Sequence, residues 1–378
     1  MARFWVIPIF VALSSLNALQ ILMKYILLFF LTLIIISSWS CNKDKDILPA
    51  ATIPGTEEEW SIPLSEVIAA QNKDDIPAIN VPVYLTADSA ASLLNDEDLI
   101  LGYVKGAFKI AYPIKVLNYH EVINDRVGNA PITITYSALT GSGSVFTADP
   151  LLVFTTYGTS GLIHKSNSIL YDEASGTLWS QFLRKGIYGP GKDIEQPYEG
   201  LIETTWATWK RWYPETKVVT FKGTPQPDYT VYPYGNYQNS QDSLLYPMVL
   251  NSISYPNKQK ILGMVLDTSV IYTAYNEFAN TRVIGKQLDG KEVLIFGSES
   301  EQYMTAFYAE TEDGESINVN KAADDLSLGV LFVDTNGTEW DITGLAISGR
   351  NLGDRLKRPT NFMAYAFAWK AFYPSSNL

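Results

Sequence analysis

Along most of this chain the apolar residues come in short alternating runs broken by Gly, Asn, Asp and Ser. That is the spacing of strands and hairpins rather than of long amphipathic helices. Ile132–Tyr136 reads Ile-Thr-Ile-Thr-Tyr, and Val104–Ala107 places Gly106 where two runs reverse. Asn336-Gly337 has the residues preferred in a two-residue hairpin turn, just ahead of Trp340. Two stretches carry helical spacing instead, Thr204–Trp212 and Asn361–Ala371, and each is stopped by a proline, Pro214 and Pro374. The pattern predicts a β-rich α+β fold.

The pattern also occurs twice. Ile100–Gly102 (ILG) returns at Ile261–Gly263, Pro131–Phe146 lies over Glu292–Phe307, and Gly176–Trp179 (GTLW) returns as Gly337–Trp340 (GTEW), all at an offset of 161 residues. Trp209–Pro214 (WKRWYP) returns as Trp369–Pro374 (WKAFYP) at 160. Four matches in order at almost one offset argue for duplication. They predict two tandem related β-rich subdomains, each closed by a short helix: repeat 1 over 98–220 and repeat 2 over 259–378. An N-terminal segment of the folded domain, 60–97, precedes them, and a crossover, 221–258, joins them. Within the crossover Tyr229, Tyr232, Tyr234, Tyr237 and Tyr246 lie among prolines, which excludes a regular helix or a central strand. It is either a packed loop or a stacking surface for a ligand.

The first forty residues are of another kind. From Met23 the order is one basic residue (Lys24), an apolar run Tyr25–Ile36, then Ser37, Ser38 and Ser40 before Cys41, which is the order of an export signal. The run is short for a spanning helix, which needs about 20 apolar residues. A serine-rich approach to a cysteine resembles the relaxed lipobox of bacterial lipoproteins, so Cys41 is expected to carry the lipid; an uncleaved anchor over Tyr25–Trp39 is the alternative. Residues 1–40 thus read as an export signal with an upstream extension, Met23 being the expected true start, and 41–59 as a lipidated tether. The expected localisation is a bacterial membrane, outer membrane or cell surface, held through the lipid anchor.

Cys41 is the single cysteine, so the chain forms no internal disulfide and no cysteine-based metal or dithiol site. Beyond residue 40 there remain 26 basic against 40 acidic residues, a net charge of −14. Such a charge opposes binding to phosphate backbones, and no nucleic-acid partner is expected.

Leu101–Phe146 (LGYVKGAFKIAYPIKVLNYHEVINDRVGNAPITITYSALTGSGSVF) resembles the bacterial family called domain of unknown function 3179. The resemblance continues through Asp75–Ile79, Ser166–Gln181, Thr204–Val219, Trp340–Gly349 and Phe367–Pro374, so that it runs from about Trp60 to the C-terminus. It implies an extracytoplasmic, often lipid-anchored protein and no assigned activity. The family pattern commonly carries a cysteine, sometimes a pair, in the stretch where this chain has Ser137 and Thr140. Any thiol or selenol chemistry of relatives is not expected here, because a serine hydroxyl neither ionises readily nor undergoes redox exchange.

Chemistry centres on Asn118–Asp125 (NYHEVIND), where His120 stands beside Glu121, Asn124 and Asp125. A histidine flanked by carboxylates can serve as a general base or a metal ligand. At the 161 offset His120 falls on Thr281, Glu121 on Arg282 and Asp125 on Lys286, so the polar set belongs to the first copy alone. The plainer reading is a helix cap followed by an Asn124-Asp125 turn. No second histidine lies at ligand spacing, so no metal is assigned and no cofactor is indicated. A serine-hydrolase reading would join Ser137 or Ser142 to His120 and Asp125, but there is no G-x-S-x-G elbow, and Gly141–Ser144 reads as a flexible turn. His164-Lys165 reads as an exposed loop pair. Trp179 and Trp209 recur as Trp340 and Trp369, as core anchors should.

The leading expectation is a binding module with a pocket in repeat 1, made by His120, Glu121, Asn124, Asp125 and the Tyr136–Gly141 loop with Ser137 and Thr140, for an unknown small-molecule or envelope ligand. The rivals are a hydrolytic or metal-assisted enzyme using His120 as base, with Glu121, Asp125 and Ser137 as its other candidates, and a structural envelope protein.

Overall fold

The structure is a computed structural model that describes residues 51–376 except 148–154, 242, 247, 249–252, 267–268 and 324–328. The expected signal, the lipidation site Cys41 and the tether up to residue 50 lie outside the described residues. Those described belong to one compact unit, Pro49–Leu378.

The expectation of a β-rich fold is met: strand dominates, and the α-helices among the described residues are three short ones. The first half runs β1 (Val67–Ala69), β2 (Val83–Thr86), β3 (Leu99–Lys105), β4 (Phe108–Pro113), α1 (Ile114–His120), β5 (Val122–Val127) and β6 (Ala130–Ser137). It continues with β7 (Ser142–Thr147), β8 (Tyr157–His164), β9 (Asn167–Asp172), β10 (Leu178–Ser180), β11 (Lys185–Tyr188), β12 (Ile202–Thr205), α2 (Trp206–Trp212) and β13 (Lys217–Thr220). The second half has β14 (Lys260–Leu266), β15 (Ser269–Ala274), β16 (Val283–Leu288), β17 (Lys291–Ser298), β18 (Tyr303–Tyr308), β19 (Val319–Ala322), β20 (Val330–Asp334), β21 (Glu339–Asp341), β22 (Ala346–Ser348), β23 (Thr360–Tyr365) and α3 (Ala366–Phe372).

The first half makes sheets β12-β3-β4-β13-β2, β5-β6-β7 and β1-β8-β9-β10-β11; the second makes β15-β14-β23, β16-β17-β18 and β19-β20-β21-β22. The reversal at Gly106 joins β3 to β4, with glycine at φ +56°, a region costly for other residues. In both halves a glycine lies beneath a tryptophan. A Cβ on Gly102 would meet Trp209 at 2.2 Å, and one on Gly263 would meet Trp369 at 2.0 Å. In both, a tryptophan N–H donates to an aspartate that also holds the adjacent turn: Trp179 to Asp172 and Trp340 to Asp334, each at 3.0 Å.

The helices begin later than the sequence pattern suggested. Thr204 and Asn361 are strand residues, because β12 pairs with β3 and β23 with β14, and β-branched residues in the first case favour that pairing. Thr205 then caps α2 by accepting from the Thr208 N–H at 3.2 Å.

Each helix covers apolar residues of its own half and reaches the other half as well. Trp206, Trp209 and Trp212 of α2 share a core with Phe296, Tyr303, Phe307, Phe332 and Trp340 of the second half. Trp369 of α3 packs against Phe182 of the first half, and Phe372 stacks on the same ring at 4.2 Å. The exchange extends to the backbone, where the Tyr365 N–H donates to the Thr140 carbonyl and the Thr204 hydroxyl donates to the Glu301 carbonyl. The halves therefore pack reciprocally, the helix of each also covering apolar residues of the other.

Candidate functional site

The residues singled out around His120 are close in sequence but face different ways. His120 ends α1, and Glu121 follows in the left-handed region at φ 53°, which turns the chain into β5. Asn124 and Asp125 are therefore strand residues rather than the turn the sequence suggested; their hydrogen-bonding side chains are used between strands.

His120 is 2% exposed. Its Nδ1–H donates to the Pro77 carbonyl and its Nε2 accepts from the Tyr229 hydroxyl, both at 2.8 Å. Burial lowers its pKa, so both ring nitrogens are satisfied in the neutral form. Asn124 binds Asn80, Thr133 and both the N–H and the carbonyl of Tyr157, which ties β5 to β6 and β8. Asp125 accepts from the hydroxyls of Tyr84 and Tyr112 and from the Arg126 N–H.

Glu121 differs from these. Its carboxylate is buried, accepts from Ser168 at 2.7 Å and Tyr234 at 3.1 Å, and lines a cavity of about 30 Å³ with Leu139, Thr159 and Tyr246. Burial raises its pKa above the ordinary 4.5 despite both hydrogen bonds. The folded chain thus holds this proton to higher pH than the unfolded chain. The associated stabilisation is complete below pH 4.5 and is lost as pH rises through the folded value. Glu121→Gln keeps an acceptor for Ser168 or Tyr234 but cannot titrate. Measured by urea unfolding from pH 4 to 8, the stability of parent minus variant is expected to fall as pH rises. A difference independent of pH would refute the assignment. His120 and His164 act in the opposite sense: burial lowers both, so their contribution is present above about pH 6.5 and lost on acidification.

The Tyr136–Gly141 loop is held from outside. Tyr237 donates to the Leu139 carbonyl at 2.8 Å, the Tyr365 N–H to that of Thr140 at 2.8 Å, and Lys260 to that of Gly141 at 2.7 Å. Thr140 joins a buried polar network with Ser142, Asn167 and Gln181, in which the Asn167 amide donates to Thr140 at 2.9 Å and to Gln181 at 2.7 Å. Gly141 alone adopts positive φ in the expected Gly141–Ser144 turn, because Ser142 already begins β7. Ser137 Oγ is buried with no hydrogen-bond partner among the described residues, so no described base is bonded to it, and Ser142 bonds Thr140 and Gln181 rather than a histidine. His164 and Lys165 are not an exposed pair. His164 is 3% exposed beneath Phe372, and both residues reach Glu66.

Two features escaped the sequence. One is the Lys260–Glu203 pair, 2.7 Å apart, which joins β14 to β12 across the halves between the rings of Tyr136 and Tyr365. A half-buried lysine of this kind leaves no periodic signal; the useful sign was that at the 161 offset it falls on Leu99. The other is a cleft of about 390 Å³ between α1 and the crossover. It is lined by Asn95, Glu97, Asp98, Lys115 and Asn118 on one side and Tyr229–Tyr232 and Gln238 on the other. Tyr119 fixes the crossover over α1 by donating to the carbonyls of Asp228 and Val231. Tyr229 connects cleft to interior, since its hydroxyl donates to His120. Of the polar set read from the sequence, His120 alone thus touches a residue that lines this cleft. The sequence leaves the crossover tyrosines as loop packing or ligand surface; Tyr229 packs the crossover into the core and also lines the cleft.

Residues 73–376 match the family described as protein of unknown function (DUF3179), and the chain belongs to that family. No curated protein and no solved structure matches it. Among the described residues there is no group of His, Cys, Asp and Glu able to hold a metal ion, and no helix long and apolar enough to cross a membrane.

Proposed function

We propose that this protein is an exported binding module, tethered to a bacterial membrane through lipid on Cys41, whose ligand enters the cleft between α1 and the crossover. The signal-like order from Lys24 to Ser40 supports the anchor, and an outer-membrane or cell-surface position follows from it. Duplication is part of the same reading. It is supported by the recurrence of three sheet orders and by the paired contacts of Gly102 with Trp209 and Gly263 with Trp369.

The observation that carries the binding role is the cleft itself. It combines a volume suited to a small ligand with polar groups left unsatisfied by the protein: the side-chain amides of Asn95, Asn118 and Gln238 make no hydrogen bond to a described residue. Its α1 side belongs to the first half. In the second half the place of α1 is taken by a single 3-10 turn, Tyr275–Phe278, and the matching positions Arg282 and Lys286 are cations bonded to Glu301 and Glu277. Hydrolysis has less support, since His120 has both nitrogens engaged and neither Ser137 nor Ser142 meets a base.

Two measurements test the proposal. Cys41→Ser in the full chain is expected to move the protein from the membrane fraction to the soluble fraction or to stop its maturation; unchanged membrane recovery would remove the lipid from the account. For the cleft, a thermal-shift screen of small polar compounds is expected to find ligands that stabilise the parent but not Asn118→Trp, whose added ring fills the cleft. Equal stabilisation of both would place binding elsewhere.

A further inference from the structure

Taking the cleft as the ligand site, we infer that its ligand is a neutral polyhydroxylated ring, a saccharide of one or two units. Charge gives the first reason. Among the described residues the cleft is lined by the carboxylates of Glu97 and Asp98 and one cation, Lys115. That ammonium is already committed, 2.6 Å from Asp98 and 3.1 Å from the Leu93 carbonyl. No described cation lining the cleft is left to receive a phosphate or carboxylate, and the acidic wall repels one.

The amides give the second reason. Asn95, Asn118 and Gln238 each present a donor and an acceptor, and a ligand hydroxyl is likewise both. Glu97 adds a carboxylate that accepts no hydrogen bond from a described residue. A ring bearing adjacent hydroxyls can satisfy such a set on several sides, whereas an apolar ligand would bury these groups unpaired.

The third reason is the aromatic side. Tyr229 and Tyr232 bring rings to the cleft, which Leu99, Ile114 and Val231 also line among its polar groups. Tyr229 is held in place by its hydroxyl on His120 and by edge contact with the ring of Tyr119 at 5.6 Å. Fixed rings offer the apolar C–H face of a sugar a surface at little entropic cost. Burial raises the pKa of both phenols to about 12, so neither adds negative charge at neutral pH. The volume of about 390 Å³ is at the small end of ligand sites, which span about 300–1,000 Å³.

The test is titration calorimetry on the detergent-solubilised full chain with three sets of probes: methyl glycosides of neutral hexoses and N-acetylhexosamines, the 6-phosphates of the same sugars, and primary alkylamines. At least one neutral glycoside is expected to bind, its 6-phosphate about tenfold more weakly or worse, and Asn118→Ala and Tyr232→Ala each to reduce affinity about tenfold. Far-UV circular dichroism and thermal unfolding establish that both variants fold; Gln238→Ala, at the exposed rim, provides a third in case either does not. If amines bind and glycosides do not, the ligand class is wrong while the cleft remains a binding site. If no probe binds and the compound screen against Asn118→Trp is also empty, both the class and the site fall. Glycoside binding that all three variants leave unchanged overturns the inference by placing the sugar elsewhere.

Discussion

Gly263→Ala and Gly102→Ala are each expected to destabilise the protein by about 2–3 kcal/mol, an unusually large cost for a single added methyl group. At Gly263 the new carbon would lie 2.0 Å from the Trp369 ring, well inside contact distance. The ring cannot simply turn aside. It is enclosed by Phe182 at 5.4 Å, Phe362 at 4.9 Å and Tyr373 at 4.9 Å, and the helix that carries it follows directly on β23. The strand cannot retreat either, because Gly263 is paired with Tyr272 on one side and Phe362 on the other. The complementary change, Trp369→Ala, removes the ring and is expected to cost about 3–5 kcal/mol. Urea unfolding followed by far- and near-UV circular dichroism measures both. Since Phe182 belongs to the first half, Trp369→Ala should weaken a single transition of the whole unit rather than detach the second half. A separate early transition would show that the halves fold independently and that the reciprocal packing contributes little. A loss below about 1 kcal/mol for either glycine would mean that the tryptophans have more freedom than their surroundings indicate.

How far the sequence could be read follows from which forces act locally. The reversal at Gly106 depends on backbone sterics and the alternation over Ile132–Tyr136 on strand spacing, and both were legible, although from Ile132 on β6 is buried on both faces. The recurrence of Trp209 as Trp369 was legible too, but the helix starts were not. Thr204 and Asn361 lie beside apolar residues at helical spacing, and their extended state is decided by pairing with strands about a hundred residues away. The partner of each helix was equally hidden: an apolar face specifies that it will be covered, not by which half. The polar cluster is the most instructive case. His120, Glu121, Asn124 and Asp125 read as a constellation because they lie within six residues of one another, yet alternation along β5 and the left-handed turn at Glu121 send them to different neighbours. Their acceptors and donors, Pro77, Tyr84, Tyr157, Tyr229 and Tyr234, come from distant segments, so only the fold reveals that most of these bonds are structural.

Lys260→Met is the second substitution expected to have a large effect, about 3–5 kcal/mol, and the reason lies with the partner it leaves behind. Glu203 is 3% exposed in β12, and its carboxylate is bonded to Lys260 across the boundary between the halves. Methionine matches the lysine stem in length and apolar volume, so the rings of Tyr136 and Tyr365 keep their packing. What disappears is the charge opposite Glu203 and the donor to the Gly141 carbonyl. An isolated buried carboxylate is costly, whereas a neutral pair in the same space need not be. The double variant Lys260→Met with Glu203→Gln should therefore recover most of the loss, leaving about 1 kcal/mol for the unpaired Gly141 carbonyl. A double-mutant cycle by urea unfolding decides between charge and positioning. Recovery would show that the pair is kept for electrostatic compatibility. If the double variant is as unstable as Lys260→Met alone, the essential bond is the one to Gly141. Lys260 would then act by holding the Tyr136–Gly141 loop against the second half, together with the backbone bond from Tyr365 to Thr140.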